Sequence, residues 1–393
     1  MLNSNCQYPN VLGNMDKKRT VLFLIDSLTC GGAEKSLISL LPLLDYSKVQ
    51  VDLMLGVKGC VFEQYVPKEV KIVNIQWSWS PLFRIGQLCF SILRRIMKNR
   101  HGAELKWMVM HRMYKDCGKE YDVAVAYQQG FPTYYVAKKV RANKKYAWVN
   151  ADIKSAGYDE PFNRHFYDSY DLIIPVSDVL CDLMRKTNYV NANKLFTIYD
   201  ILNVNLIRQM SLEKVVGLSR QAITIVTAGR LARPKNYILA VEAAALLKKE
   251  GLDFVWYFVG DGPERWHIEE AIKKHTLEEQ VKLVGLTPNP YPYMAMADVY
   301  VQTSSFEGFG LTLSEARILH RPVVSTNFPV VYNQIRDGEN GLIAEMTAES
   351  VAEKIMLLIH DEELRNRLIE ATKQEVNMTS ITEPKKVMAL LLE

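Results

Sequence analysis

The chain has 393 residues, 48% of them apolar and 23% charged, and a formal net charge of +4. That length allows two or three domains, each with its own core, and so balanced a charge excludes nucleic acid as the main partner. None of the six cysteines (Cys6, Cys30, Cys60, Cys89, Cys117, Cys181) falls in a C-x-x-C pair, which excludes zinc scaffolds and disulfide frameworks and points to reduced thiols in a cytosol.

Residues 1–18 are polar and expected to be loosely ordered. The first apolar run, 21–25, is too short for the core of a secretory leader. No later run approaches the roughly 18 apolar residues of a membrane span, so a cytoplasmic location is expected. A dense apolar strand is predicted over 20–28, followed by Thr29, Cys30, Gly31, Gly32, Ala33 and Glu34, then by an apolar-periodic helix that Pro42 kinks or ends. The glycine pair suits a phosphate, although a tight connection alone also explains it. It is not G-x-G-x-x-G, which argues against a dinucleotide site.

Further strands are predicted over 50–55, 71–75, 122–127, 146–150 and 171–176. The intervening segment 77–115 carries eight Lys or Arg against the single Glu104, together with Trp77, Trp79, Phe83, Phe90 and Trp107. Leu82, Ile85, Cys89, Ile92 and Ile96 follow a helical period, with Arg94, Arg95 and Lys98 elsewhere around the turn. The segment reads either as a basic amphipathic surface for an anionic membrane or as two core helices with a charged face.

A strand is expected over 194–202, and 203–220 reads as a connection. A second alternating pattern follows. It has strands at 222–227, 254–259, 281–285, 298–303 and 322–325, a helix from an Asn236 cap to about residue 250 with Gly251 behind it, and a turn through Gly260, Asp261, Gly262 and Pro263. Such alternation implies parallel sheets with right-handed crossovers, hence two doubly wound α/β domains facing one another.

Ligands bind such folds at the carboxyl edges of the strands, and two stretches there carry chemistry. After strand 298–303 come Ser304, Ser305, Phe306, Glu307, Gly308, Phe309 and Gly310, then a short helix to His320. This places a carboxylate, two glycines and a helix N-terminus together, a setting that favours a phosphate. Thr312 and Glu315 also have the T-x-x-E spacing of a capping box, so Glu315 serves either a ligand or its own helix. After strand 222–227, Arg230 and Lys235 reach the same crevice, and two cations with loop amides suit a diphosphate. The chain has no D-x-D, H-E-x-x-H or G-x-S-x-G, and its seven histidines are scattered, so neither a metal nor a serine nucleophile is expected.

Together Gly229-Arg230-Leu231, Lys235-Asn236, Val259-Gly260-Asp261-Gly262-Pro263 and Glu307-Gly308-Phe309-Gly310-Leu311 with Glu315 eight residues beyond Glu307 resemble the retaining glycosyltransferases of family 4, most strongly over 223–343. Gly31-Gly32-Ala33-Glu34 is similar to their N-terminal glycine turn. The resemblance implies a GT-B fold: two Rossmann-like domains across a cleft, residues 1–205 on the acceptor side, 206–375 binding a nucleotide-sugar donor, and 376–393 a helix packing back on the first domain. It also implies that Arg230 and Lys235 hold the donor diphosphate, Glu307 the sugar hydroxyls and Glu315 the ribose. Gly308, Phe309, Gly310 and Leu311 would face phosphate and sugar, and Gly31 and Gly32 would close over the diphosphate. The leaving phosphate would help deprotonate the acceptor on the same face, without metal or other cofactor. Many relatives have His where this chain has Asn150, followed by Asp152, on the sugar and acceptor side. Asn donates a hydrogen bond but does not carry a proton at neutral pH as imidazole does.

The expected function is transfer of one sugar to a glycan acceptor, lipid-linked and destined for a surface polysaccharide, by a cytoplasmic enzyme that can rest on the membrane through 77–115. The alternatives are a nucleotide-sugar epimerase of the same architecture and a nucleotide-sugar-binding partner protein that has lost catalysis at Asn150.

Overall fold

The computed structural model describes residues 18–393 except 30, 78–81, 99, 155, 188–189 and 216–221. The expected loose order of 1–17, together with Cys6, Cys30, Trp79 and the side chains of Leu82 and Phe83, lies outside the described residues.

The first sheet is built from β1 (Arg19–Ile25), β2 (Val49–Leu55), β3 (Lys71–Asn74), β4 (Glu120–Ala126), β5 (Arg141–Val149) and β6 (Leu172–Pro175). All its pairings are parallel, in the order β3-β2-β1-β4-β5-β6. Helices cover both faces, so Val21 to Ile25 are all buried, and the strand reads as a continuous apolar run. The crossovers are α1 (Gly32–Leu40), α2 (Leu82–Ile96) with α3 (Gly102–Met110), α4 (Phe131–Lys139) and α5 (Glu160–Tyr167). After β6 come α6 (Asp178–Arg185) and α7 (Val204–Ser211).

The second sheet repeats the plan. It contains β7 (Ile223–Ala228), β8 (Phe254–Val259), β9 (Val281–Gly285), β10 (Val299–Gln302), β11 (Val323–Thr326) and β12 (Leu342–Ala344), ordered β12-β11-β10-β7-β8-β9. Its helices are α8 (Tyr237–Lys249), α9 (Arg265–Lys274), α10 (Tyr291–Ala295), α11 (Leu311–Ile318), α12 (Ala348–His360) and α13 (Glu362–Leu392). The side on which the chain adds successive strands reverses between β1 and β4 in one sheet and between β7 and β10 in the other. Each reversal opens a crevice at the carboxyl edge, and the two crevices face each other. The last turns of α13 lie against the first sheet, where the Tyr146 hydroxyl donates to the Leu390 carbonyl (3.1 Å) and the Tyr199 amide to Glu383 (3.0 Å).

The two doubly wound α/β domains agree with the sequence, and three local expectations are corrected. Residues 194–202 form no strand: Leu195 makes one bridge to Ile173, and the apolar residues Ile198, Ile201 and Leu202 are buried without a ladder. The supposed connection contains α7, whose N-terminus is capped by the Asn203 side chain accepting from the Leu206 amide (3.0 Å). Asn236 does not cap α8 through its side chain; it sits in the left-handed region (φ 48°, ψ 50°) between a tight turn and the helix.

Helix α2 packs one face on the domain and exposes another. Gly86 is buried, and a Cβ there would meet the Met113 side chain beneath it. Ile85, Leu88, Ile92 and Ile96, at helical spacing on another face, are exposed by 48–72%. Arg84, Arg94, Arg95 and Lys98 are exposed around the same helix. Cys60, Cys89, Cys117 and Cys181 are free thiols.

Candidate active site

Between the two crevices lies a cavity of about 800 Å³, large enough for a nucleotide sugar together with part of a second substrate. Its second-domain wall comes from the loops after β7 and β10. The Glu307 Oε1 atom accepts from Lys235 Nζ (2.6 Å), Ser304 Oγ (2.6 Å) and Gln302 Nε2 (3.0 Å). All three bonds fall on one oxygen, leaving Oε2 without a partner among the described residues, free to accept from a ligand hydroxyl. Gln302 is itself fixed, because its Oε1 accepts from the Thr312 hydroxyl (3.0 Å). Two further bonds tie the loops together: the Ser305 amide donates to the Pro234 carbonyl (2.7 Å) and the Thr303 hydroxyl to the Lys235 carbonyl (3.1 Å). Arg230 is exposed on the same wall.

Two glycines shape this edge. Gly310 occupies the left-handed region (φ 89°) at the N-cap of α11, turning the chain so that Phe309, Gly310, Leu311 and Thr312 line the cavity. The first amides of any helix lack intrahelical partners, so those of α11 can meet an anion. Gly308 passes so close to the first domain that a Cβ would stand 2.2 Å from the Asn150 carbonyl oxygen. Any side chain there would force the domains apart.

Glu315 is fully buried and does not serve its own helix. Its carboxylate takes both oxygens to Lys35 Nζ (2.8 and 3.0 Å), 280 residues away, and accepts the Tyr291 hydroxyl (2.8 Å). Lys35 also lies 5.0 Å from the centre of the Tyr291 ring. The capping-box alternative is therefore corrected: Gly310 is the N-cap, and Thr312 is turned toward Gln302. The ion pair crosses the cleft from α1 to α11.

The first-domain wall is acidic. Asp26 and Glu34 line the cavity near the end of β1, with Asp200 beyond β6. Burial pushes the Asp26 carboxyl up to about 6 against the pull of Lys106, and pushes the Asp200 carboxyl up to about 7 despite a hydrogen bond from Ser36. Burial likewise raises Glu34. Its carboxylate folds back over Gly31, where a Cβ would stand 2.2 Å from it. Gly31 and Gly32 line the cavity, and Gly32 is packed beneath the Leu311 side chain. Asn150 also lines it, held by Gln129, whose Oε1 accepts from the Asn150 and Ala151 amides (3.0 and 2.9 Å). Both polar atoms of the Asn150 side chain are buried without a partner. Asp152 does not line the cavity; its carboxylate accepts from the Lys154 amide at the neighbouring turn (3.4 Å).

The structure thus gathers Arg230, Lys235, Glu307, Gly308, Phe309, Gly310, Leu311, Gly31, Gly32 and Asn150 around one space, with Glu315 just behind it. It adds residues that the sequence did not single out. Asp26 and Gln128 sit where the crevice rule puts ligand groups, just past β1 and β4, and were findable by position. Lys35 and Asp200 carry no local signal. Among the described residues, no group of three or more His, Cys, Asp or Glu is arranged to hold a metal ion, and no helix is long and apolar enough to cross a membrane.

Comparison with known proteins agrees with this architecture. The crystal structure of Anabaena HepE in complex with UDP and glucose superposes with a TM-score of 0.70 over 95% of this chain and 99% of that one, at 18% identity. Two sheets of this order facing across such a cleft define the GT-B fold. The model of the family described as glycosyl transferases group 1 matches residues 211–375. It is 27% identical over 352 residues, 87% of this chain and 90% of the relative, to the N-acetylgalactosamine-N,N'-diacetylbacillosaminyl-diphospho-undecaprenol 4-alpha-N-acetylgalactosaminyltransferase of Campylobacter jejuni. It is 33% identical over 150 residues, 38% of this chain and 43% of the relative, to the lipopolysaccharide core biosynthesis glycosyltransferase LpsE of Rhizobium meliloti.

Proposed function

We propose that this glycosyltransferase moves a sugar from a nucleoside-diphosphate donor to a lipid-linked glycan acceptor, with retention of configuration and without a metal ion, in the synthesis of a surface polysaccharide. The observation that carries the reading is the Glu307 carboxylate pinned on one oxygen by Lys235, Ser304 and Gln302 beside the N-terminus of α11. Breaking a glycosyl–phosphate bond builds negative charge on the leaving diphosphate and positive charge on the sugar ring. Lys235, Arg230 and the α11 amides stand where the first charge forms, and the second oxygen of Glu307 is available to hold a sugar hydroxyl. In this reading Gly31 and Gly32 cover the diphosphate from the first domain, and the acceptor enters past Asn150, with the leaving phosphate taking its proton.

A second cavity of about 420 Å³ supports the lipid-linked acceptor. Arg94, Lys98, Arg100 and His101 line it, and it shares His101 and Ala156 with the first cavity. Cations beside the apolar face of α2 suit a diphosphate whose lipid lies in an anionic membrane. The Campylobacter relative, whose name includes a diphospho-undecaprenol-linked sugar, supports the same acceptor class.

The test is to incubate the protein with UDP-, GDP- and ADP-sugars and a sugar-bearing diphospho-polyprenol, and to read the product by mass spectrometry and NMR. One added hexose in the donor's own anomeric configuration supports the proposal. An inverted linkage, or an isomerised free nucleotide sugar with no adduct, refutes it.

A further inference from the structure

The first-domain wall bears three carboxylates that the transfer chemistry at Glu307 does not use. Asp200 is 6% exposed and lines the cavity, and its Oδ1 has no hydrogen-bond partner. Its other polar neighbour, the Ser36 hydroxyl, is shared with Tyr127 and the Ile201 amide. Asp26, on the same wall, has no hydrogen-bond partner for its carboxylate among the described residues, and Glu34 adds a third negative group. Asn150 presents both an unpartnered carbonyl oxygen and an unpartnered amide nitrogen, each buried. Buried polar groups left unpaired are costly, so several at one cavity wall mark a place where a ligand completes them.

Few cations offset these acids. Lys35 is committed to Glu315, Lys106 acts on Asp26 from α3, and burial holds His101 toward its neutral form while its ring stacks on Tyr158 at 3.9 Å. Lys235 and Arg230 belong to the opposite wall. The cavity is therefore divided, with cations on the second domain and carboxylates on the first. Carboxylates and an amide with open valences match the vicinal hydroxyls of a sugar, whereas an anionic ring would meet like charge at a pH above about 7, where Asp26 and Asp200 have both lost their protons.

We infer that the first-domain wall, through Asp26, Asp200 and Asn150, is the subsite for the terminal sugar of the acceptor, and that it admits an uncharged sugar and rejects an anionic one. This rests on the glycosyltransferase reading above and adds the charge class of its acceptor.

The experiment compares two probes on the full chain saturated with UDP at about pH 8, where both carboxyls are ionised: the p-nitrophenyl α-glycosides of N-acetylgalactosamine and of galacturonic acid, each titrated by calorimetry. The uncharged glycoside is expected to bind at least about tenfold more tightly than the anionic one. Asp26→Asn and Asp200→Asn, which keep shape and remove charge, are each expected to narrow that ratio several-fold while UDP affinity stays within twofold. UDP binding also reports that each variant is folded, and either variant alone suffices. Equal or tighter binding of the galacturonide, an unchanged ratio in the folded variants, or no binding of the uncharged glycoside by protein that binds UDP overturns the inference. Failure to bind any nucleotide would instead strike the reading on which it rests.

Discussion

The Lys35–Glu315 pair joins helices from the two domains, and removing one partner has a calculable cost. Lys35 is 11% exposed and Glu315 not at all, and the carboxylate retains only the Tyr291 hydroxyl once the ammonium is gone. Breaking a buried pair on one side costs about 3–5 kcal/mol, since the surviving charge stays desolvated. The slight exposure of Lys35 puts Lys35→Met near the lower end, about 3 kcal/mol, or a fall of roughly 6 °C in melting temperature for a domain of this size. Glu315→Gln should be milder, because the lysine can turn toward water. The double variant should recover much of the loss, giving a coupling of about 2 kcal/mol in a double-mutant cycle. Differential scanning calorimetry of the four proteins measures it. A Lys35→Met protein that melts within 1 °C of wild type, or single effects that simply add, would refute the claim that this contact holds the cleft together.

Other consequences can be checked separately. Glu307→Ala should lower kcat by roughly two to three orders of magnitude, as loss of a group contacting the transition state does; turnover near wild type contradicts its role. For Asp200 the folded pKa, about 7, lies above the ordinary 3.8. Between those values the folded state keeps a proton that the unfolded state gives up, so raising pH favours unfolding by at most about 1.4 kcal/mol per unit. Asp200→Asn should therefore gain stability relative to wild type as pH rises from 4 to 7, and a difference independent of pH would sink that argument. Replacing Arg94, Arg95 and Lys98 with Gln should weaken sedimentation with phosphatidylglycerol vesicles, by about 1 kcal/mol per charge; unchanged sedimentation would leave α2 as an ordinary surface helix.

The sheets were largely legible, because strands covered on both faces must be apolar throughout. Both 254–259 and 281–285 were placed at their observed ends. What failed was local. Helix α7 has two turns, too short for a period to stand out, and only its Asn203 cap announced it. Residues 194–202 are as apolar as a strand because Ile198, Ile201 and Leu202 are buried there, not because a ladder forms. At the site, loop motifs disclosed Arg230, Lys235 and Glu307, since glycines and charges fall close together in sequence. The partner of Glu315 lies 280 residues away, and no local pattern encodes such a contact. On the acidic wall, Asp26 was findable by its place just past β1 and Glu34 stood in the glycine turn, whereas Asp200 carried no local signal.

Transfer from a nucleotide sugar requires the second-domain wall to be a nucleoside-diphosphate site. Calorimetric titration of UDP, GDP and ADP into wild type and Lys235→Met tests it most directly. One nucleotide should bind clearly better than the others, and the variant should bind it about 10- to 100-fold more weakly, the loss of one charge-assisted contact. Equal affinity in the two proteins, or no binding of any nucleotide to wild type, would contradict it.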